Sequence, residues 1–327
     1  MKHIAILVPE GAILGSLEGS RQLLTQVNTF FMGRGEKPLF QVQLVGLAKQ
    51  TKLNGGLFTV NCDLILEEVE KTDLIIIPAV DGDLQQALEK NQAFIPWITE
   101  HYHKGAEVAS LCLGAFILAS TGLLSGKRCA THWMASNQFQ TMFPDVTLVT
   151  DKIITDEQGL YSSGGAFSYM NLILYLIEKY AGKEMAILCS KIFAIDLSRN
   201  SQSQFVIFQG QKGHGDEPVI KAQEFIESNF QNKISVEELA DMLYLGRRNF
   251  ERRFKKATSN TVLEYIQRVK IEAAKMTLET SRENVNEVMY SVGYSDTKAF
   301  RSTFKKITGI SPIAYRNKYN KEAMAAS

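Results

Sequence analysis

Apolar and polar positions along this chain fall into two regimes. Up to Tyr180, short apolar runs of strand length alternate with longer stretches of helical period. His3–Val8, Phe40–Val45, Asp73–Pro78 and Glu107–Leu111 read as strands, and DLIIIP is the unbroken apolar run of a central parallel strand. Glu18–Phe31, Leu84–His103 and Leu113–Ser120 read as helical, the last closed by Gly122. Val146–Val149 and Ile153–Thr155 read as strands around a turn, and Gly164–Gly165 introduces an apolar helix, Phe167–Tyr180. Strands alternating with helices predict an α/β fold, a flavodoxin-like doubly wound parallel sheet. Ligands of such sheets sit beyond the carboxyl ends of the strands.

Beyond Asp216 the pattern is helical throughout, so an all-α domain should follow. Pro218 suits the first turn of a helix, Pro218–Asn229. The stretch Val285–Arg316 predicts a short helix, a tight turn at Gly293 and a basic helix. Asn284 and Glu287 have capping-box spacing, Ser295 or Asp296 restarts the chain, and Gly309 stops it. Phe300, Phe304 and Ile307 share one face; Thr297, Lys298, Arg301 and Lys305 lie on the other. This is the layout of a helix-turn-helix, whose second helix enters the DNA major groove. Fifty residues earlier, Glu237, Tyr244, Phe250, Phe254, Lys255, Lys256, Thr258 and Tyr265 match Glu287, Tyr294, Phe300, Phe304, Lys305, Lys306, Thr308 and Tyr315. Ser235 and Glu238 cap this second copy, and Gly246 opens its basic helix. Thr261 and Glu264 cap a long helix running to about Thr280, with Val262, Ile266, Val269, Ala273 and Met276 as its apolar stripe. Ser311 and Pro312 start a short last helix. Polar DLSRNSQSQ and glycine-rich Gln209–Gly215 predict a flexible linker, with Phe205–Phe208 an apolar patch able to dock on either side. The expected domains are 1–195 and 217–320, joined by a linker, 196–216, and followed by a tail, 321–327.

The net charge of +1 hides an asymmetry. From Asp216 onward there are 19 Lys and Arg against 15 Asp and Glu; the preceding residues carry 17 against 20. The basic surplus thus sits with the helix-turn-helix units, as phosphate binding requires. Cys62, Cys112, Cys129 and Cys189 have no paired spacing, which suggests a reduced, cytoplasmic protein. Ile4–Val8 is too short for a signal-peptide core, and Leu111–Leu124 is too short to span a bilayer. His101 and His103 have no third ligand nearby in sequence, so no metal site is expected. Gly210, Gly213 and Gly215 lack the full phosphate-loop fingerprint, and no cofactor is expected.

Two family resemblances follow. Residues 218–319, with VGYSDTKAFRSTFKKITGISPIAYR, resemble the DNA-binding domain of AraC/XylS transcription regulators. The segment ASLCLGAFILASTGLLSGKRCATHW, Ala109–Trp133, resembles the elbow region of the DJ-1/PfpI (class I glutamine amidotransferase-like) superfamily, in the branch fused to AraC-type domains. That resemblance implies a sensing and dimerising domain for a small effector, with amino acids and quaternary amines the expected class. Promoter DNA, RNA polymerase and a second copy are the implied partners. Ligand-facing candidates carried over from it are Ser16, Glu18, Cys112, Leu113, His132 and Trp133. From the AraC resemblance, base-reading positions are Arg247, Arg248, Glu251 and Arg252, and Thr297, Lys298, Arg301 and Ser302 in the second copy. Arg253, Lys255, Lys256, Lys305 and Lys306 are expected phosphate contacts or solvated charges.

The rival reading is a DJ-1/PfpI-type cysteine hydrolase or glyoxalase-like enzyme with an appended DNA-binding domain. The sequence departs from that chemistry. Leu113 follows the cysteine where protease-type relatives have His; Ser16 aligns where an acid is usual, with Glu18 two residues on; Pro78-Ala79-Val80 replaces Pro-Gly-Gly. A cysteine without a base is a weak nucleophile, and a Cβ at both latter positions hinders an oxyanion hole. No catalytic residue is therefore assigned.

Overall fold

The computed structural model describes residues 1–197 and 201–320, in two compact units that divide after Gln202. Residues 198–200 of the expected linker and the expected tail, 321–327, lie outside the described residues.

The first unit runs β1 (Lys2–Val8), α1 (Leu14–Gly33), β2 (Phe40–Gly46), β3 (Gln50–Leu53), β4 (Phe58–Asn61), β5 (Leu64–Ile65), β6 (Leu74–Ile77), α2 (Leu84–Lys90), α3 (Phe94–His103), β7 (Glu107–Leu111) and α4 (Ala115–Ser120). It continues through β8 (Arg128–Cys129), α5 (Ser136–Met142), β9 (Thr147–Leu148), β10 (Ile154–Glu157), β11 (Leu160–Ser163), α6 (Tyr169–Ala181) and α7 (Lys183–Ile192). The main sheet has the order β10–β11–β7–β6–β1–β2–β5, parallel except for β10. Its central strands are apolar on both faces because both are covered. Ile4, Ile6 and Val8 join the core under α1, α6 and α7, while Ala5 and Leu7 join the one under α2, α3 and α4. The chain leaves β1 for β2 on one side and builds β6 and β7 on the other. The crevice between the carboxyl ends of β1 and β6 is therefore the topological switch point.

The two expected late strands do not form a hairpin. Thr147–Leu148 pairs with Arg128–Cys129 in a separate ribbon, and Ile154–Glu157 pairs with Leu160–Ser163. The pattern did not predict β11, α7 or the hairpin β3–β4. At the end of the unit Gln202 is buried, 1% exposed. Its amide donates to the Asp151 carbonyl (3.0 Å), and its Nε2 donates to the carbonyls of Thr131 (3.1 Å) and Lys152 (3.2 Å). A Cβ on Gly164 would stand 2.4 Å from that Nε2, so glycine makes the seat possible.

The second unit is helical: α8 (Glu217–Asn229), α9 (Val236–Met242), α10 (Arg247–Thr258), α11 (Val262–Thr280), α12 (Val285–Ser291), α13 (Thr297–Thr308) and α14 (Pro312–Tyr319). Side-chain caps set six of these starts: Ser235, Thr261 and Asn284 each complete a capping box, Asp296 accepts from the Ala299 amide at 2.6 Å, and Asp216 and Ser311 accept from the Val219 and Ala314 amides. Two cores form, one around Phe250 and Phe254 and one around Phe300 and Phe304. The expected stripe on α11 packs against both cores, Val262, Ile266 and Val269 on the first and Ala273 on the second, and is corrected only at Met276. Val262, Tyr265 and Ile266 enter the first core, Ile271, Ala274 and Leu278 the second, and Met276 is 62% exposed. A helix serving two cores changes its buried face along its length.

The repeat also needs correction in its first half. The caps Ser235 and Asn284 stand 49 positions apart, as do the left-handed turn residues Tyr244 (φ 54°) and Gly293 (φ 74°). Only the basic helices stand 50 apart, because Ser295 lengthens the second turn by one residue. The structural counterparts of Asn284, Glu287 and Gly293 are thus Ser235, Glu238 and Tyr244. The glycine-rich stretch is not a free tether. Phe208 packs edge-on to Tyr265 at 5.0 Å, Gln223 Nε2 donates to the Gln211 carbonyl at 2.8 Å, and Lys318 lies over Phe205. No helix of the described residues is long and apolar enough to cross a membrane.

Candidate functional site

At the end of β7 the chain turns sharply through Cys112, whose φ of 52° is left-handed. Gly114 permits the turn: a Cβ there would meet the Ile77 and Pro78 carbonyls at 2.7 and 2.5 Å. Cys112 is 3% exposed; its amide donates to Ser163 Oγ (3.4 Å), and its carbonyl accepts from Thr131 Oγ1 (3.0 Å). Burial pushes the thiol up to about 11, far from a nucleophilic thiolate at neutral pH. His132 is half-buried and desolvation lowers its pKa; its Nδ1 accepts from the Met134 amide, and its ring lies 5.5 Å from that of Trp133. Among the described residues no hydrogen bond joins His132 to Cys112. Leu113 is half-buried beside the elbow.

Ser16 and Glu18 have other partners. Ser16 is 2% exposed, donates to the Ile13 carbonyl (2.8 Å) and accepts from the Ala79 amide (3.1 Å), so it splints the β1–α1 loop to the segment after β6. That bond occupies the amide an oxyanion hole would need. Glu18 forks onto Arg21 at 2.7 and 2.8 Å, and the guanidinium holds its carboxyl below the ordinary value. The structure thus links Cys112 to the Thr131–Trp133 segment and leaves Ser16 and Glu18 to local tasks.

A cavity of about 1020 Å³ opens at the switch point. The β1–α1 loop, the tip of the β3–β4 hairpin, Asp81–Gly82 and Lys90 line it. Its charges oppose one another: Glu10 and Asp81 against Lys52 and Lys90, with Lys90 Nζ 3.8 Å from Glu10. Gly11 (φ 78°) brings the two loops together, accepting from the Asp81 amide at 2.9 Å. Sequence reasoning missed these residues because four separate segments supply them. The available signal was the switch-point rule itself.

In the second unit Arg247, Arg248, Arg252, Lys298, Arg301, Ser302 and Lys305 are exposed, and Glu251 and Thr297 half-buried. Arg247 is engaged with Glu237 and Glu251, and Arg252 Nη2 donates to Asn249 Oδ1 at 3.2 Å. Arg253 departs from the expected solvated charge. It grips Asp216, the cap of α8, at 2.8 and 3.0 Å, and that hydrogen bond holds the Asp216 carboxyl below its ordinary value.

Comparison with known proteins agrees with both units. Residues 36–179 match the family model "DJ-1/PfpI family", and residues 239–318 match "Helix-turn-helix domain". The HTH-type transcriptional regulator GbdR of Pseudomonas aeruginosa is 27% identical over 241 residues, covering 72% of this chain and 65% of that one. The chain therefore spans just under two thirds of that relative's length. The P. aeruginosa regulator CdhR is 24% identical over 270 residues, covering 82% and 79%. A Vibrio parahaemolyticus protein described as a transcriptional regulator has a similar solved structure, with a TM-score of 0.53 and 25% identity over 58% of this chain and 98% of that one. The chain joins a DJ-1/PfpI domain to a helix-turn-helix domain of the AraC type.

Proposed function

We propose that the protein is a sequence-specific transcription regulator whose first unit senses a small metabolite. The observation that carries this reading is the pair of capped helix-turn-helix units on one shared helix, α11, each with an exposed basic face. Arg247, Arg248, Glu251, Arg252, Thr297, Lys298, Arg301 and Ser302 read bases, and Lys305 binds phosphate. In this reading the effector enters the switch-point cavity, whose opposed charges suit a compact amino acid or quaternary amine carrying a carboxylate. Cys112, Leu113, His132 and Trp133 supply the neighbouring elbow side of the site, and Ser16 and Glu18 hold the loop and helix beside it rather than meeting the effector. A homodimer acting with RNA polymerase on promoter DNA in the cytoplasm completes the proposal. The names of GbdR and CdhR, both HTH-type transcriptional regulators, support it.

This reading leaves catalysis out, since burial pushes the Cys112 thiol up to about 11 and no base is hydrogen-bonded to it among the described residues. The deciding experiment selects duplexes from a random-sequence pool with the full chain, then inserts five base pairs between the two protected elements. Adjacent major grooves on one face recur about every 10 base pairs, so the insertion turns one element away and must weaken binding. Undiminished affinity rules out the two-groove reader. Cys112→Ala should leave DNA binding intact; glyoxalase or peptidase turnover abolished by that substitution would favour the enzyme instead. Amino acids and quaternary amines can be screened by the rise in apparent stability that a native-state ligand produces.

A further inference from the structure

Lys270 lies near the middle of α11 and is 8% exposed. It makes no ion pair among the described residues. Its Nζ instead donates to the Gly293 carbonyl at 3.1 Å and to the Asn232 carbonyl at 3.5 Å, and sits 5.5 Å from the centre of the Tyr294 ring. Those acceptors belong to different parts of the unit. Asn232 is in the loop leading into α9, at the start of the first helix-turn-helix, and Gly293 is the turn of the second. The two segments also touch directly: a Cβ on Gly293 would stand 2.0 Å from the Gln231 carbonyl and 2.8 Å from Lys270 Nζ. Burial of an ammonium is costly, so two carbonyls and a ring face must together replace its water. Among the described residues the first helix-turn-helix has no such brace at its own turn, where Tyr244 is 97% exposed.

We propose that Lys270 is a specificity-determining residue: by pinning the turn of the second helix-turn-helix to the leading loop of the first, it fixes the offset between α10 and α13 and hence the spacing of the two DNA elements. This rests on the two-groove reading above. Recognition helix α13 begins at Thr297, four residues after Gly293, so displacement of the turn displaces the start of the helix. Each helix-turn-helix keeps its own core, since the Phe250–Phe254 and Phe300–Phe304 clusters do not depend on the pin. Loss of the pin should therefore leave each unit folded and blur their separation.

The test uses the full chain and the duplex it selects from the random pool, remade with one base pair added or removed between the elements. Wild type should prefer the native spacing. Lys270→Met, close in volume but unable to donate, should lose about tenfold on the native duplex, because the Gly293 and Asn232 carbonyls lose the donor that ties them together. It should lose much less on the shifted duplexes, and nothing on a duplex carrying one element. Lys270→Arg should restore part of the preference. Gly293→Ala keeps the lysine but drives a Cβ into the Gln231 carbonyl, so it should flatten the same preference; it decides the matter if Lys270→Met fails to fold. Equal losses at all spacings in Lys270→Met, or a wild-type spacing profile in Gly293→Ala, overturn the inference. A wild-type chain indifferent to spacing overturns the two-groove reading itself, and this inference with it.

Discussion

The two helix-turn-helix units share their aromatic cores and capping boxes but differ at their turns. In the second, the left-handed residue is Gly293, docked against Gln231 and Lys270. In the first it is Tyr244, which carries the cost of a left-handed conformation with its side chain in water. Asp296 caps the second recognition helix, whereas Gly246 opens the first without a side-chain cap. Arg247 in the first is engaged by Glu237 and Glu251, while Lys298 and Arg301 in the second make no ion pair among the described residues. The difference teaches that core and caps define the unit, while the turn and the first helical residues decide what the unit is free to do. The second turn is the braced one; the first carries an exposed tyrosine at its turn and an arginine already in partnership.

The largest test of that contrast is in the cores. Phe254 and Phe304 are fully buried, so replacement of either by Ala should cost about 3–5 kcal/mol. Because each lies in its own cluster, hydrogen exchange should rise mainly in the mutated unit. Uniform loss of protection across both units would make them one cooperative body and end the comparison. Next in size is base reading. Arg301→Ala should cost about 1–3 kcal/mol on the selected duplex and relax preference at one base pair. Arg247→Ala should cost less, since binding must first compete with its two glutamates; titration of both variants on matched and scrambled duplexes gives the order. An Arg301→Ala loss that is equal on both duplexes would remove its base-reading role.

Smaller effects come from the turns. Tyr244→Gly should raise thermal stability by about 1 kcal/mol by relieving the left-handed strain, less the entropy that glycine adds to the unfolded chain. Asp296→Ala should lower it by about 1 kcal/mol through loss of the cap. A stabilising Asp296→Ala would erase the difference in how the recognition helices begin. The smallest effect belongs to Lys305. Its replacement by Ala should weaken all duplexes alike and reduce the slope of log affinity against log salt by about one. A sequence-dependent loss would move Lys305 among the base readers.

What was legible in the sequence was local or periodic. The capping boxes depend on side chains three residues apart, and all three expected boxes form. The central strands could be read because a sheet covered on both faces leaves unbroken apolar runs such as Leu74–Ile77. The rest depended on partners distant in sequence. Matching Tyr244 to Tyr294 by identity concealed the inserted Ser295, which only the left-handed turn geometry exposes. The helical face of Arg253 suggested solvent, but its partner Asp216 lies 37 residues away. Ser163 meets Cys112 from a strand of four residues, too short for a periodic signal. The cavity joins loops after β1 and β6 to a hairpin tip, which no single window of sequence contains.

The seat of Gln202 has a consequence for where the first unit can be cut. Composition suggests a boundary near residue 195, before the polar tract. A fragment ending there would strip the Asp151, Thr131 and Lys152 carbonyls of their donor and leave the space beside Gly164 unfilled. Thr131 is 1% exposed, and a buried acceptor left without a donor costs about 1–3 kcal/mol, so the truncated domain should be less stable for reasons unrelated to any ligand. A fragment running through Gln202 keeps all three bonds, so the last residue of the α/β unit lies on the far side of a tract that reads as its exit.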